Sequence, residues 1–373
     1  MVPAGTTEWV RRAEAFVAEN QPPLGAPPGS RTPQNPVQLA DWAAWSQRLH
    51  AAGLATIRWP TEWGGGGASA DAALAVTAVL AAAAMPLSLA DIGVNMVAPA
   101  IMSAGTAAQQ DRHVPAIRAG TAIWTQLFSE PEAGSDLAAL RCAASADGTD
   151  WVINGQKVWS TYAHIADWGF LLARTGTRDE RHRGITAFLV PMDAAGVTVR
   201  PVRELTGHYD FNEVFFDDVR LGHDYVLGAV GGGWQVAMNL LIDERVVTGR
   251  NIIGLQAELD RLTSLAGNTL DPVTANRLGE LCADAIAIAA VGELEPAPAG
   301  SDNLAKIAFS ELNGEVHQTA VDVVAADRYD VPAGWAARWQ DSYLYYRGWT
   351  ISGGANEVLR NVIAKRVLGL PSA

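Results

Sequence analysis

The hydrophobic rhythm of this chain changes twice, and those two changes limit its fold more than any single motif. Up to about residue 119, apolar residues recur at helical spacing. From Ala122 the pattern breaks into short runs separated by Gly, Asp and Asn turns, several alternating with period two. After Gly233 the helical spacing returns. Segregated blocks in the order α, β, α argue for an α+β protein with separate domains rather than a doubly wound sheet. At 373 residues the chain has room for two or three domains. The expected division is a helical domain over 1–121, a β-domain over 122–225 and a helical bundle over 226–373.

Helices are expected over 8–19, 36–53, 68–85, 92–105 and 107–119. The second carries Leu39, Trp42, Trp45 and Leu49 on one stripe and stops at Gly53. The Pro/Gly-rich stretch 21–36 and the glycine run after Trp63 read as loops. Strands are expected over 122–129, 143–146, 151–153, 156–161, 168–174, 185–191, 197–201 and 212–219, with a turn at Asn154-Gly155. Helices then follow over 234–265, 272–291, 305–326, 338–349 and 356–368, broken by the Pro-rich segment 295–301 and by Gly353-Gly354.

Composition excludes several function classes. A formal net charge of −13 argues against a nucleic-acid partner, which needs basic patches to neutralise phosphates. Cys142 and Cys282 are far apart and form no CxxC pair, so both read as apolar filler in a reducing, cytoplasmic setting. The seven histidines show no metal-ligand spacing. The N-terminus has no basic region followed by an apolar core. The apolar stretch 72–90 is interrupted by Thr77, Pro86 and Ser88, so it reads as buried helix rather than membrane span.

Two segments carry chemistry. Trp124-Thr-Gln-Leu-Phe-Ser-Glu-Pro-Glu-Ala-Gly-Ser-Asp136 is a short β run ending in a polar turn. Asn154-Gly-Gln-Lys-Val-Trp-Ser-Thr161 is a strand bearing an indole and then two hydroxyls. Together they offer an aromatic face and edge donors for a flat, half-polar ring. Three further segments join them in order: Phe211-Asn-Glu-Val-Phe-Phe-Asp-Asp-Val-Arg220, Gly231-Gly-Gly-Trp-Gln235 through Asp243-Glu-Arg245, and the stretch from Thr350 to Pro371. The five collinear segments resemble the acyl-CoA dehydrogenase family, over nearly the whole chain.

That resemblance implies an N-terminal helical domain, a middle antiparallel β-barrel or sandwich and a C-terminal four-helix bundle. It implies FAD, an acyl-CoA thioester oxidised to the 2,3-enoyl-CoA, and an electron-transfer flavoprotein as acceptor. Gln126, Phe128 and Ser129 would meet the pyrimidine edge of the flavin ring. Trp159 would cover the face away from the substrate, with Ser160 and Thr161 at the N5/O4 edge. Ser135 would lie near the cofactor phosphates and the substrate, with Arg245 also assigned to the substrate. Many members carry the base in the C-terminal loop, where this chain has Gly353; another branch places it on the first helix of the C-terminal domain. The matching residue is Glu244, set among apolar neighbours that would raise its pKa towards a useful range. Asp243 is the rival.

Two further positions depart from the family pattern. Ala355 stands where a hydroxyl residue is usual. Residues 264–271 offer no arginine for the pyrophosphate of a neighbouring subunit's FAD, the nearest being Arg261 upstream. Apolar residues on more than one face of the later helices point to an oligomer, a homotetramer or dimer or a heterotetramer with a related subunit. Two alternatives stand beside the dehydrogenase: a flavin monooxygenase or oxidase on the same fold, and a non-catalytic subunit of a heteromeric enzyme.

Overall fold

The computed structural model describes residues 4–23, 31–239, 244–266, 271–292, 299–325 and 334–371. In chain order the helices are α1 (Ala4–Glu19), α2 (Pro36–Ala51), α3 (Ala70–Ala82), α4 (Ala98–Ala104), α5 (Ala107–Arg118), α6 (Gly233–Asn239), α7 (Glu244–Ala266), α8 (Pro272–Gly292), α9 (Ser301–Ala325), α10 (Trp335–Tyr345) and α11 (Asn356–Val362). The strands are β1 (Trp124–Leu127), β2 (Ala143–Asp147), β3 (Asp150–Lys157), β4 (Trp168–Arg174), β5 (Ile185–Pro191), β6 (Val197–Val202), β7 (Phe211–Gly222) and β8 (Val226–Leu227). They fold as two compact units. One takes in the described residues of Met1–Ser30, Ala68–Pro86 and Asp243–Ala373, the other Arg31–Gly67 and Leu87–Ile242.

The second unit contains the sheet, in the order β6-β7-β3-β2-β4-β5-β8. Its pairings are antiparallel except that β1 and β2 both run parallel to β4, with Trp124 opposite Trp168 and Ala143 opposite Arg174. After its half-exposed first residue, β4 is buried throughout, because the sheet is covered on both faces. Phe170 and Leu172 enter one core with Val97, Ile101 and Ile117 of the helical segments. Leu171 and Ala173 point the other way, into a core with Phe188, Val214 and Val219.

The flanking helices begin where the sequence supplies caps. Asn35 caps α2, accepting from Gln38 N at 3.0 Å, and Pro36 follows. Trp42, Trp45 and Leu49 of the anticipated stripe are buried. Thr106 and Gln109 form a reciprocal capping box on α5. The Gln109 amide also reaches Val226 O at 2.8 Å, fixing α5 to β8. A π turn over Gly93–Val97 precedes α4, because Pro99 has no N–H for the carbonyl of Asn95.

The first unit is helical. α7, α8, α9 and α10 share a core of Leu255, Leu259, Leu281, Phe309, Val316 and Trp339, while α3 packs on both α1 and α7. The helix expected over 234–265 is described as α6 and α7, with 240–243 outside the described residues, as is most of the expected break at 295–301. No helix of the described residues is long and apolar enough to cross a membrane.

Two expectations for the sheet are corrected. Asn154-Gly155 is not a turn between strands: β3 runs through it with a bulge. The Asn154 amide donates to Asp218 Oδ1 and its oxygen accepts from Asp218 N, both at 2.9 Å, so the extra residue is held across the ladder. The strand expected over 156–161 ends at Lys157. Beyond it the backbone turns through positive φ at Trp159 (60°) and Tyr162 (65°), which no ladder can continue.

Candidate active site

The two chemistry-bearing segments meet where β1 and β3 end. Lys157, 0% exposed, donates to Glu130 Oε1 at 2.7 Å and to Phe128 O at 3.0 Å. Glu130 in turn accepts from Arg141 N at 2.6 Å and Cys142 N at 2.9 Å. One buried ion pair therefore locks the exit of β1, the end of β3 and the entry to β2. Val158 N donates to Ser129 O at 2.9 Å, and the Thr125 hydroxyl donates to Thr161 O at 2.7 Å. These bonds bring Gln126, Phe128, Ser129, Trp159, Ser160 and Thr161 together.

Trp159 is held as a platform. Its backbone sits in the left-handed region, and its indole is 59% exposed. Its ring meets Phe211 edge to face, with centroids 5.8 Å apart. A bulky residue at positive φ carries a local strain of about 1–3 kcal/mol, which persists only where the surroundings over-determine it. Here Ser160 N donates to Asn212 O at 3.1 Å, and Asn212 Nδ2 donates to Ser160 O at 2.9 Å. Gln126, Phe128, Ser129 and Thr161 are half-buried, whereas Ser160 is buried. An exposed indole beside half-buried amide and hydroxyl groups suits a flat ring with an apolar face and a polar edge. The residues present therefore fit an isoalloxazine.

Ser135 is exposed on the turn that follows. Mutual backbone bonds between Glu130 and Ala133 close that turn. Arg174, at the end of β4, donates to Ala138 O, Leu140 O, Thr177 O and Arg181 O at 2.7–3.1 Å, so one guanidinium ties down the loop beyond Ser135. Burial raises the Cys142 thiol to about 11, leaving it a neutral packing group. Among the described residues no group of His, Cys, Asp or Glu could hold a metal ion.

The other expected residues belong to the helical unit. Glu244 and Arg245 open α7, but their side chains lie outside the described residues, as does Asp243. Gly353 and Gly354 turn through φ of 64° and 94°, and a Cβ on Gly353 would meet nothing within 4 Å. That turn is clamped to α9: Lys306 donates to Gly354 O and to Asn356 Oδ1, both at 2.8 Å, and buried Asn356 donates to Ser310 Oγ at 3.0 Å. Ala355 occupies the N-cap of α11 without a side-chain cap.

Arg261 is committed within its own unit. It pairs with Glu258 at 3.1 Å, donates to the carbonyls of Ala81 and Ala82, and lies over the Trp335 ring at 5.1 Å. Burial pushes the Glu258 carboxyl up in pKa, but the guanidiniums of Arg338 and Arg261 more than reverse this and hold it ionised.

Sequence reasoning missed Glu130, Lys157, Arg174, Asn212 and Lys306. Its usable signal was charge inside apolar alternation, as at Arg174 after Phe-Leu-Leu-Ala.

Family models for the acyl-CoA dehydrogenase N-terminal, middle and C-terminal domains match residues 7–121, 125–219 and 231–368. The acyl-CoA dehydrogenase IpdE1 of Mycobacterium tuberculosis is 42% identical over 338 residues, 88% of each chain. Among solved structures, the steroid ACAD Tcur3481-Tcur3483 superposes with a TM-score of 0.85 at 25% identity, covering 100% of this chain and 99% of that one. The ChsE4-ChsE5 complex from Mycobacterium tuberculosis gives 0.81 at 28% identity, with coverages of 100% and 99%. With all three domain models matched in order, this chain belongs to the acyl-CoA dehydrogenase family.

Proposed function

We propose that the chain is an FAD-dependent dehydrogenase that converts an acyl-CoA to its 2,3-enoyl-CoA, with Glu244 as general base. The carrying observation is the locked junction of β1 and β3, which presents an exposed Trp159 indole beside half-buried Gln126, Phe128, Ser129 and Thr161. Bound FAD would supply the acceptor for the β-hydride. Trp159 would cover the ring face opposite the substrate, Gln126, Phe128 and Ser129 its pyrimidine edge, and Thr161 the N5/O4 edge; Ser160, also expected at that edge, is 0% exposed and would support Thr161 from behind. Ser135 would stand near the phosphates and the thioester tail, with Arg245 also on the substrate side. Glu244 would take the α-proton, its apolar sequence neighbours raising its basicity. The three functional segments are 1–121, 122–225 and 226–373.

The substrate class we favour is a bulky acyl-CoA. Gly353 leaves open space where many family members carry a carboxylate, and one structural neighbour is described as a steroid ACAD. Electrons would leave to an electron-transfer flavoprotein. The assembly we favour is a heterotetramer with a related subunit: Arg261 is committed internally, and the ChsE4-ChsE5 neighbour is a complex of two chains. The test is to purify the chain alone and co-expressed with a related subunit, release the cofactor by heat and identify it. FAD retained with the partner and turnover of acyl-CoA support the reading. A chain that never retains FAD in any assembly refutes it and favours the non-catalytic subunit.

A further inference from the structure

Three polar atoms behind the Trp159 platform are buried without a protein hydrogen-bond partner: Ser160 Oγ, Asn212 Oδ1 and His164 Nδ1. Ser160 and Asn212 are both 0% exposed. The three residues are neighbours. The Asn212 amide donates to Ser160 O, Ser160 N donates to Asn212 O, and His164 follows one short turn later, where Ile165 N donates to Tyr162 O at 2.9 Å. Burial lowers the pKa of His164, while the Asn212 side chain and Asp210 pull it partly back. The Asn212 side chain thus lies beside the imidazole ring.

Each orphaned atom bears a desolvation cost with no compensating bond. Buried waters typically make about three hydrogen bonds to such groups. A gap just beyond direct reach between two polar atoms is where a bridging water sits. We propose that Ser160 Oγ, Asn212 Oδ1 and His164 Nδ1 bind one ordered water, and that Asn212 is a positioning residue for the turn Trp159–Thr161. The donor count balances. The Ser160 hydroxyl donates to the water, and the two water hydrogens go to Asn212 Oδ1 and to the neutral imidazole at Nδ1. Asn212 then holds Ser160 through its amide, through its own carbonyl and through the water. Positive φ at Trp159 and Tyr162 needs restraint of this kind.

The positioning role rests on Trp159 and Thr161 facing the flavin; the water site does not. A crystal structure of the flavin-loaded protein with its ordered solvent tests the water. Density within about 3 Å of all three atoms is expected. No density, with Ser160 Oγ turned onto a backbone carbonyl, overturns the site. Asn212→Leu tests the positioning. It is expected to weaken flavin binding by about tenfold or more, with a changed visible flavin spectrum, and to lower kcat more than it raises KM. A stable Asn212→Leu protein with unchanged flavin affinity and spectrum overturns the role. If that variant does not fold, Ser160→Ala decides, with a loss of flavin affinity of about threefold expected and an unchanged affinity refuting. Wild-type protein that binds no flavin refutes the cofactor reading, and the crystal structure then judges the water alone.

Discussion

Replacing Lys157 with methionine removes the charge that closes the β1–β3 junction while keeping most of the side-chain bulk. Glu130, 7% exposed, would keep only its two backbone donors, Arg141 N and Cys142 N. Phe128 O would lose the lysine ammonium. Breaking one side of a buried ion pair costs about 3–5 kcal/mol, and an orphaned buried carbonyl adds about 1 kcal/mol or more. Against a typical stability of about 5–15 kcal/mol this is a large fraction. It corresponds to a fall in Tm on the order of 10 °C for the sheet-bearing unit. The loss belongs to the stranded carboxylate rather than to the pair as such, so adding Glu130→Gln should recover a substantial part of it. Urea denaturation of the two single variants and the double variant, followed by near-UV circular dichroism, forms the double-mutant cycle. A Lys157→Met protein within about 1 kcal/mol of wild type, or a double variant no better than the single, would show that the junction is not held in this way.

Two further outcomes follow from packing and titration. Burial first, and then the Arg112 charge, lower His113 from 6.5 to about 4, with its ring edge-on to Trp124 and Trp168. A histidine depressed in the folded state contributes stability that is full above the unfolded pKa and is lost as pH falls through the folded one. Stability should therefore drop by about 3 kcal/mol between pH 6.5 and 4, and His113→Phe should flatten that slope; an unchanged pH dependence in the variant would reject the assignment. Gly155 has φ of 149°, and a Cβ there would lie 2.7 Å from Cys142 Cα, whereas Gly148 at φ 65° has nothing within 4 Å. Gly155→Ala should thus lower Tm well beyond Gly148→Ala, which should cost only the left-handed backbone preference of about 1–2 kcal/mol; equal losses would mean the bulge is free to shift.

Much of this architecture was readable before any coordinates. The switch of period near Ala122 and back near Gly233 located the sheet, because burial on two faces or one leaves its repeat in the residues themselves. Asn154-Gly155 misled because a hairpin turn and a bulge ask for the same residues, and only the distant Asp218 decides between them. The end of β3 at Lys157 was equally hidden. Trp159 has high strand propensity, and its left-handed backbone is imposed by Asn212, some fifty residues later. Nothing local to Lys157 and Glu130 reveals that they neutralise each other out of solvent. The Lys306 clamp on Gly354 is likewise a contact across 48 positions. Family resemblance supplied the expected base, the departures at Gly353 and Ala355, and the expected cofactor contacts of segments 124–136 and 154–161, which residue patterns alone left as polar turns in a β-domain.

The measurement closest to the central reading is anaerobic mixing of the flavin-loaded protein with an accepted acyl-CoA, following the visible flavin band in wild type and in Glu244→Gln. Prompt bleaching is expected in the wild type and a rate about 10²–10⁴-fold lower in the variant, with flavin content unchanged. Bleaching of Glu244→Gln at the wild-type rate would contradict that reading.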